Sequence, residues 1–286
     1  MKHSKFINVL TELWCKPWVI MPDIHRRLCD ILDAHISGTA HDPDGIVSQF
    51  VQAEPDKGNP NKIEIVDGVA VIPVHGVIGH GYSTMLNSSG VMSVDVLGSL
   101  ITEAVEDERV NGILLDVNSP GGTVTGVPET AELISNATAS KPVVAFTDSL
   151  MASAAMWLAS GANAIYATQS ASVGSIGVYM AWLDESRAME MQGYRTELIK
   201  RGKFKAAGIK GLELTEEQRE DLQSTVDKVY GWFVDAVIRG RGDVNEDVME
   251  GQCFFGADAV DVNLADAVGT ADKAMEEMQD LIKARA

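Results

Sequence analysis

Basic residues are scarce in this chain of 286 residues: 23 lysines and arginines stand against 41 aspartates and glutamates, a formal charge of −18 at pH 7. That balance excludes a nucleic-acid binder, because phosphate backbones recruit cations. Beyond this it implies only a soluble, self-repelling surface. Cysteine is scarce too. Cys15, Cys29 and Cys253 make no CxxC pair and no Cys/His cluster, so neither a disulfide framework nor a metal site is expected. Unpaired thiols fit a reducing compartment such as the cytoplasm. Histidine runs out early: His3, His25, His35, His41, His75 and His80 all precede residue 81. Charge is missing altogether from Ser149 to Leu183. The length of that stretch would allow a membrane span. Asn163, Gln169 and its scattered serines and glycines instead mark the buried middle of an α/β domain, and no membrane partner is expected. Glu12 and Lys16 interrupt the apolar residues at the start, so no secretory leader is read there.

What is present falls into three parts. Residues 1–52 read as a helical appendage with Trp14, Trp18, Ile24, Leu28 and Leu32 on one face, broken near its start by Pro17 and Pro22. Residues 53–62, AEPDKGNPNK, read as a linker. From 63 to 286 strands alternate with helices. A hairpin turns at Asp67-Gly68, a helix runs from Ser93 to about Asp107, and GILLDVNSP at 112–120 is a buried strand. A helix from Val127 and strands at 142–147, 164–168, 175–182 and 195–201 follow. A small-residue helix is expected at 152–160 and another helix near 185–192. Leu222, Val226, Val229, Phe233 and Val237 form the apolar stripe of a long helix over about 215–239. This alternation implies a largely parallel sheet covered by helices.

Three segments carry candidate chemistry. Asn118-Ser119-Pro120-Gly121-Gly122 follows a strand, and its paired glycines let the backbone turn and present amide donors to an oxyanion. Ser153 stands where a strand gives way to an alanine-rich helix, a position whose free amides favour developing negative charge; Ser149 is a rival. Without a histidine in the core, a Ser–His–Asp triad would need His75 or His80 to fold back onto the site. Lysine is the other common activator of serine, and Arg201-Gly202-Lys203-Phe204-Lys205 offers two. Taken singly, each segment is better read as a plain turn, a capping serine or a surface lysine.

Together, Ser-Pro-Gly-Gly after a strand, Ala-Ser-Ala before a helix, the GSIG turn at 174–177, RGKFKAAG, and FFGADAVDVNLADAVG at 254–269 resemble the S49 peptidases. That family includes signal peptide peptidase A and the head-maturation proteases of tailed phages. The resemblance runs over roughly 63–275 and implies a ClpP/crotonase-like fold of repeated β-β-α units. It implies Ser153 as nucleophile, Lys205 as general base with Lys203 as competitor, and Ser175 as the residue that hydrogen-bonds the lysine amine. The amides of Gly121 or Gly122 and of Ala154 would form the oxyanion hole. Arg201 replaces a commoner serine, and Asn263 stands where a helix-ending glycine is usual.

The resemblance further implies a protein or peptide substrate, no cofactor, and a homo-oligomer. A lysine base must be neutral, so the site has to lower the free value of about 10.4 by roughly three units, which burial in an uncharged pocket can do. With no N-terminal anchor read, the expectation is a phage or prophage capsid protease in the host cytoplasm or prohead, acting on capsid or scaffold proteins. The alternatives are a signal-peptide-peptidase-like enzyme, a crotonase-like acyl-CoA enzyme, and a non-catalytic assembly subunit.

Overall fold

The alternating segments form, in a computed structural model that describes residues 16–36, 63–81 and 91–285, a six-stranded sheet backed by helices on both faces. The N-terminal part contributes β1 (Trp18–Ile20) and α1 (Pro22–Ile36). The hairpin follows as β2 (Glu64–Val66) and β3 (Val69–His75), with Asp67 and Gly68 both at positive φ, 49° and 78°, as a tight hairpin turn requires. Then come β4 (Val77–Gly79), β5 (Val91–Ser93) and α2 (Val94–Glu106). The next unit is β6 (Gly112–Asn118), β7 (Gly121–Thr123) and α3 (Val127–Ser140). A third is β8 (Val143–Thr147), β9 (Leu150–Ala152) and α4 (Ala154–Ser160). After it lie β10 (Ala164–Ala167), β11 (Ser172–Gly174), α5 (Ser186–Met191) and α6 (Glu216–Arg241). The chain closes with β12 (Cys253–Phe255), α7 (Gly256–Asp261), β13 (Ala267–Val268) and α8 (Ala271–Arg285).

The expected β-β-α repetition is visible in this order. Each long strand joins the main sheet, β13-β10-β8-β6-β3-β2, parallel throughout except for β2. The short strand after it turns out of that sheet into one of two smaller ones, β1-β7-β4-β5 and β12-β11-β9. Successive residues of a strand face opposite sides, and here both sides are apolar. Ile72, Val74, Ile113, Leu115 and Val117 pack under α2, α3 and α4, while Val69, Leu114 and Val144 meet Ala274 and Met278 of α8. Each such side chain, fully buried, contributes about 1.5–3 kcal/mol. The long helix α6 starts at a capping box, Thr215 accepting from the Gln218 N–H at 3.2 Å and Gln218 accepting from the Thr215 N–H at 3.1 Å.

Two expected strands are corrected, and the N-terminal segment gains a partner. Over its described part, Trp18–Ile20 pairs antiparallel with Gly121–Thr123 in one of the smaller sheets. Trp14, the boundary at 52 and the linker at 53–62 lie outside the described residues. The strand expected at 175–182 is instead the shorter β11 before it, then extended chain with one bridge from Tyr179 to Trp18. No strand forms at 195–201. Arg195, Glu197, Lys200 and Arg201 leave Leu198 and Ile199 without an apolar face to join, and Ile199 is 96% exposed. The terminal helix α8 carries the core of the sheet's second face and was not foreseen.

Candidate active site

Strand β9 ends at Ala152 and α4 begins at Ala154, so Ser153 alone makes the turn, at φ 58° and ψ −117°. A non-glycine residue there is strained by about 1–3 kcal/mol and persists only when its surroundings over-determine it. They do. Its N–H donates to the Gly174 carbonyl at 2.8 Å, and its carbonyl accepts the Trp157 N–H at 2.9 Å. Every residue of α4 behind it is buried, and Trp157 stacks on Phe233 of α6 at 4.6 Å between centroids and 7° between planes. Ser153 itself is only 1% exposed. A strand–turn–helix junction of this kind holds a serine hydroxyl fixed and aimed, the mechanics of a nucleophile elbow.

The glycine turn arrives where it was expected. Gly121 sits at φ 95°, and a Cβ built on it would stand 2.8 Å from the Ser153 Cβ and 2.9 Å from the Ala154 nitrogen. Only a residue without a side chain lets these two backbones approach so closely. Gly122 lies flat on the backbone of Ile78, its partner in β4, and has no room for a side chain either. The residue that sequence reasoning passed over is Ser119. It is fully buried, its hydroxyl accepts the Gly121 N–H at 3.2 Å, and its backbone exchanges bonds of 2.8 and 3.1 Å with Leu150 and Ala152. The signal was a serine directly before Pro-Gly-Gly.

Ser175 is buried at φ 52°, its N–H donating to the Gln252 carbonyl at 2.6 Å. Its hydroxyl meets the Cys253 thiol; burial pushes that thiol's pKa up, and hydrogen bonds with Ser172 and Ser175 only partly offset the rise. Gly121 is thus brought against Ser153, and Ser175 follows directly on Gly174, whose carbonyl holds the Ser153 N–H.

Lys205 does not join them. The residue lies exposed in the turns of 201–208, and among the described residues no hydrogen bond joins it to Ser153 or Ser175. Its neighbours are tied elsewhere. Lys203 pairs with Glu217, Lys210 with Glu185 at 2.9 Å, and Gly208 lies against the Trp182 ring. Ser149, the rival serine, is exposed on the way into β9. The histidine route is not built. His75 Nε2 contacts the Asp116 carboxylate at 3.0 Å on the sheet face that Leu114 shares with α8, and His80 contacts Asp95 at 3.3 Å. Neither reaches Ser153. Among the described residues no group of three or more His, Cys, Asp or Glu gathers to hold a metal, and no helix is long and apolar enough to cross a membrane.

This arrangement has relatives. Residues 135–285 match the family described as Peptidase family S49. The chain is 34% identical over 224 residues to capsid assembly protease C of Escherichia phage lambda, which covers 78% of this chain and 51% of that protein. It is 32% identical to the head-tail preconnector protein GP5 of Enterobacteria phage P21, over 75% of this chain and 43% of the other. With Protease 4 of Salmonella typhi it shares 29% identity over 75% of this chain and 35% of the relative. The chain thus spans about half the length, or less, of these relatives. A solved enoyl-CoA hydratase/isomerase family member superposes with a TM-score of 0.43 at 16% identity, over 78% of this chain and 74% of that one. The matched region takes in α4, Ser153, Ser175 and the chain on to residue 285, and the chain belongs to peptidase family S49.

Proposed function

We propose that this chain is a serine endopeptidase in which Ser153 is the nucleophile and Lys205 the general base. The observation that carries the reading is the elbow: a buried serine in strained backbone, with Gly121 and the Ala154 amide brought against it. In the reaction the Ser153 Oγ attacks the scissile carbonyl carbon as Lys205 takes its proton. The amides of Gly122 and Ala154 receive the oxyanion, and the Ser119 hydroxyl holds the Gly121 turn in place. The lysine then returns its proton to the departing amine, and water, activated by the same lysine, hydrolyses the acyl-enzyme.

Lys205 reaches Ser153 when the exposed segment bearing it is packed down. Ile199, Phe204 and Ile209 along that segment stand 96%, 44% and 41% exposed, apolar surface that an isolated chain leaves in water and a homo-oligomer would cover. Ser175 would then accept from or donate to the incoming amine. The phage relatives support a capsid-maturation role in the host cytoplasm or prohead, with capsid or scaffold protein as substrate. The test is fluorophosphonate labelling of purified full chain, together with incubation against capsid and scaffold proteins and mass-spectrometric reading of cleavage sites. Ser153→Ala should abolish both signals with the fold kept; labelling that survives Ser153→Ala and is lost with Ser149→Ala would overturn the assignment.

A further inference from the structure

The cleft beside Ser153 already holds a peptide strand, and it belongs to this chain. β1 lies between two backbones. On one side Trp18, Val19 and Ile20 face Thr123, Gly122 and Gly121, with the Met21 N–H donating to the Pro120 carbonyl at 3.0 Å. On the other, Trp18 and Tyr179 exchange bonds, N–H to carbonyl, of 2.9 and 3.2 Å. Alternate residues of a strand point their backbone groups in opposite directions. Since those of Trp18 face Tyr179, those of Val19 face Gly122. The Val19 carbonyl oxygen is in fact among the three atoms that crowd the missing side chain of Gly121, together with the Ser153 Cβ and the Ala154 nitrogen. A peptide carbonyl is therefore held at the corner where nucleophile and amide donors meet.

We propose that the groove between Gly121–Thr123 and Tyr179 is the site for an extended substrate strand, and that Trp18–Met21 occupies it as an internal blocking segment. The inference deepens the peptidase reading and rests on it for the meaning of the groove. A substrate binding here adds a strand to β7, main chain to main chain, with alternate side chains selected by the walls. It cannot do so while β1 is seated. Val19 and Ile20 are almost fully buried, so the block is firm. Its fit is imperfect nonetheless. The Thr123 Oγ1 directly across from Trp18 and the Tyr179 hydroxyl are buried without hydrogen-bond partners. Unpaired buried hydroxyls are costly, and a peptide carrying a hydrogen-bonding side chain in the place of Trp18 would satisfy what this strand leaves open.

The experiment uses the full chain and two readouts: binding of a fluorescent peptide with the sequence KPWVIMPD, and fluorophosphonate labelling. Trp18→Ala/Ile20→Ala removes side chains of the small cluster around Cys29, outside the main core, so the domain should still melt cooperatively. Peptide binding and labelling should both rise at least about tenfold, the effect of roughly 1.4 kcal/mol. Trp18→Cys/Thr123→Cys joins directly opposed residues, whose spacing suits a disulfide. Oxidised, it should neither bind nor label; reduced, it should do both. Equal binding in the oxidised and reduced forms, or no rise in a folded Trp18→Ala/Ile20→Ala variant, would overturn the blocking strand. If binding follows the lock while no variant is ever acylated, the blocked groove stands and the peptidase reading falls.

Discussion

Gly121→Ala separates the cleft from the rest of the fold in one methyl group. The residue sits at φ 95°, a region that costs a side-chain-bearing residue about 1–3 kcal/mol. The new Cβ would also press on the Val19 carbonyl oxygen and stand 2.8 Å from the Ser153 Cβ and 2.9 Å from the Ala154 nitrogen, closer than real Cβ atoms come, so β1, the turn or the elbow must shift. At about 2–4 °C per kcal/mol for a domain of this size, strain alone lowers Tm by roughly 2–12 °C. The same shift moves the neighbouring amides off the oxyanion position, and losing one such donor costs about 10²–10³ in rate. Gly98→Ala is the control. It lies inside α2, meets only a Leu133 methyl at 3.5 Å, and should gain about 0.5–1 kcal/mol from helix propensity. The assay is a thermal melt beside labelling kinetics for both variants. If Gly121→Ala labels and melts like the wild type, the close approach of the glycine turn to Ser153 is wrong, and with it the oxyanion geometry.

Lys205→Ala and Lys205→Arg should both lose peptide cleavage, since a guanidinium stays protonated, while Lys203→Ala should keep it, breaking a surface pair with Glu217 and a contact over the Phe204 ring; cleavage by Lys205→Ala at the wild-type rate would end the dyad. Ser153→Gly should label at no measurable rate yet melt higher than Ser153→Ala, because glycine relieves the strain at φ 58° that alanine keeps; equal melting points would mean that the elbow stores no strain. His75→Ala should leave cleavage intact, its partner Asp116 lying on the face turned to α8; a folded but inactive His75→Ala would revive the histidine route.

The strand-helix alternation was legible because each element had a clean local signature: the Asp67-Gly68 turn, the apolar stripe from Leu222 to Val237, the apolar runs of the strands. Ser153 and the two glycines could be picked out only from the motifs taken together, since a serine before an alanine-rich helix and consecutive glycines after a strand are each, alone, ordinary backbone features. What escaped were relations between distant parts of the chain. Nothing in WVI says that it will pair with Gly121–Thr123 a hundred residues on. Alternation in RTELIKR suggested a strand, yet a strand needs a partner edge as well as a pattern, and none is offered. The position of Lys205 was illegible for the same reason: its segment makes its contacts with α5, α6 and Trp182 rather than with the sheet.

The repeating unit has a consequence for when the molecule can act. The amide turn comes from the second β-β-α unit, the serine from the third, and Gly174 and Ser175, which brace and face that serine, from the strands that follow. The elbow at Ser153 is held by a bond to Gly174, so a chain emerging from the ribosome carries a slack, ordinary serine until residues past 174 have emerged and docked. A copy cut short before residue 174 has Ser153 and the glycine turn but nothing to hold the serine in its strained backbone. The elbow is thus a property of the finished domain, set only when the last strands dock.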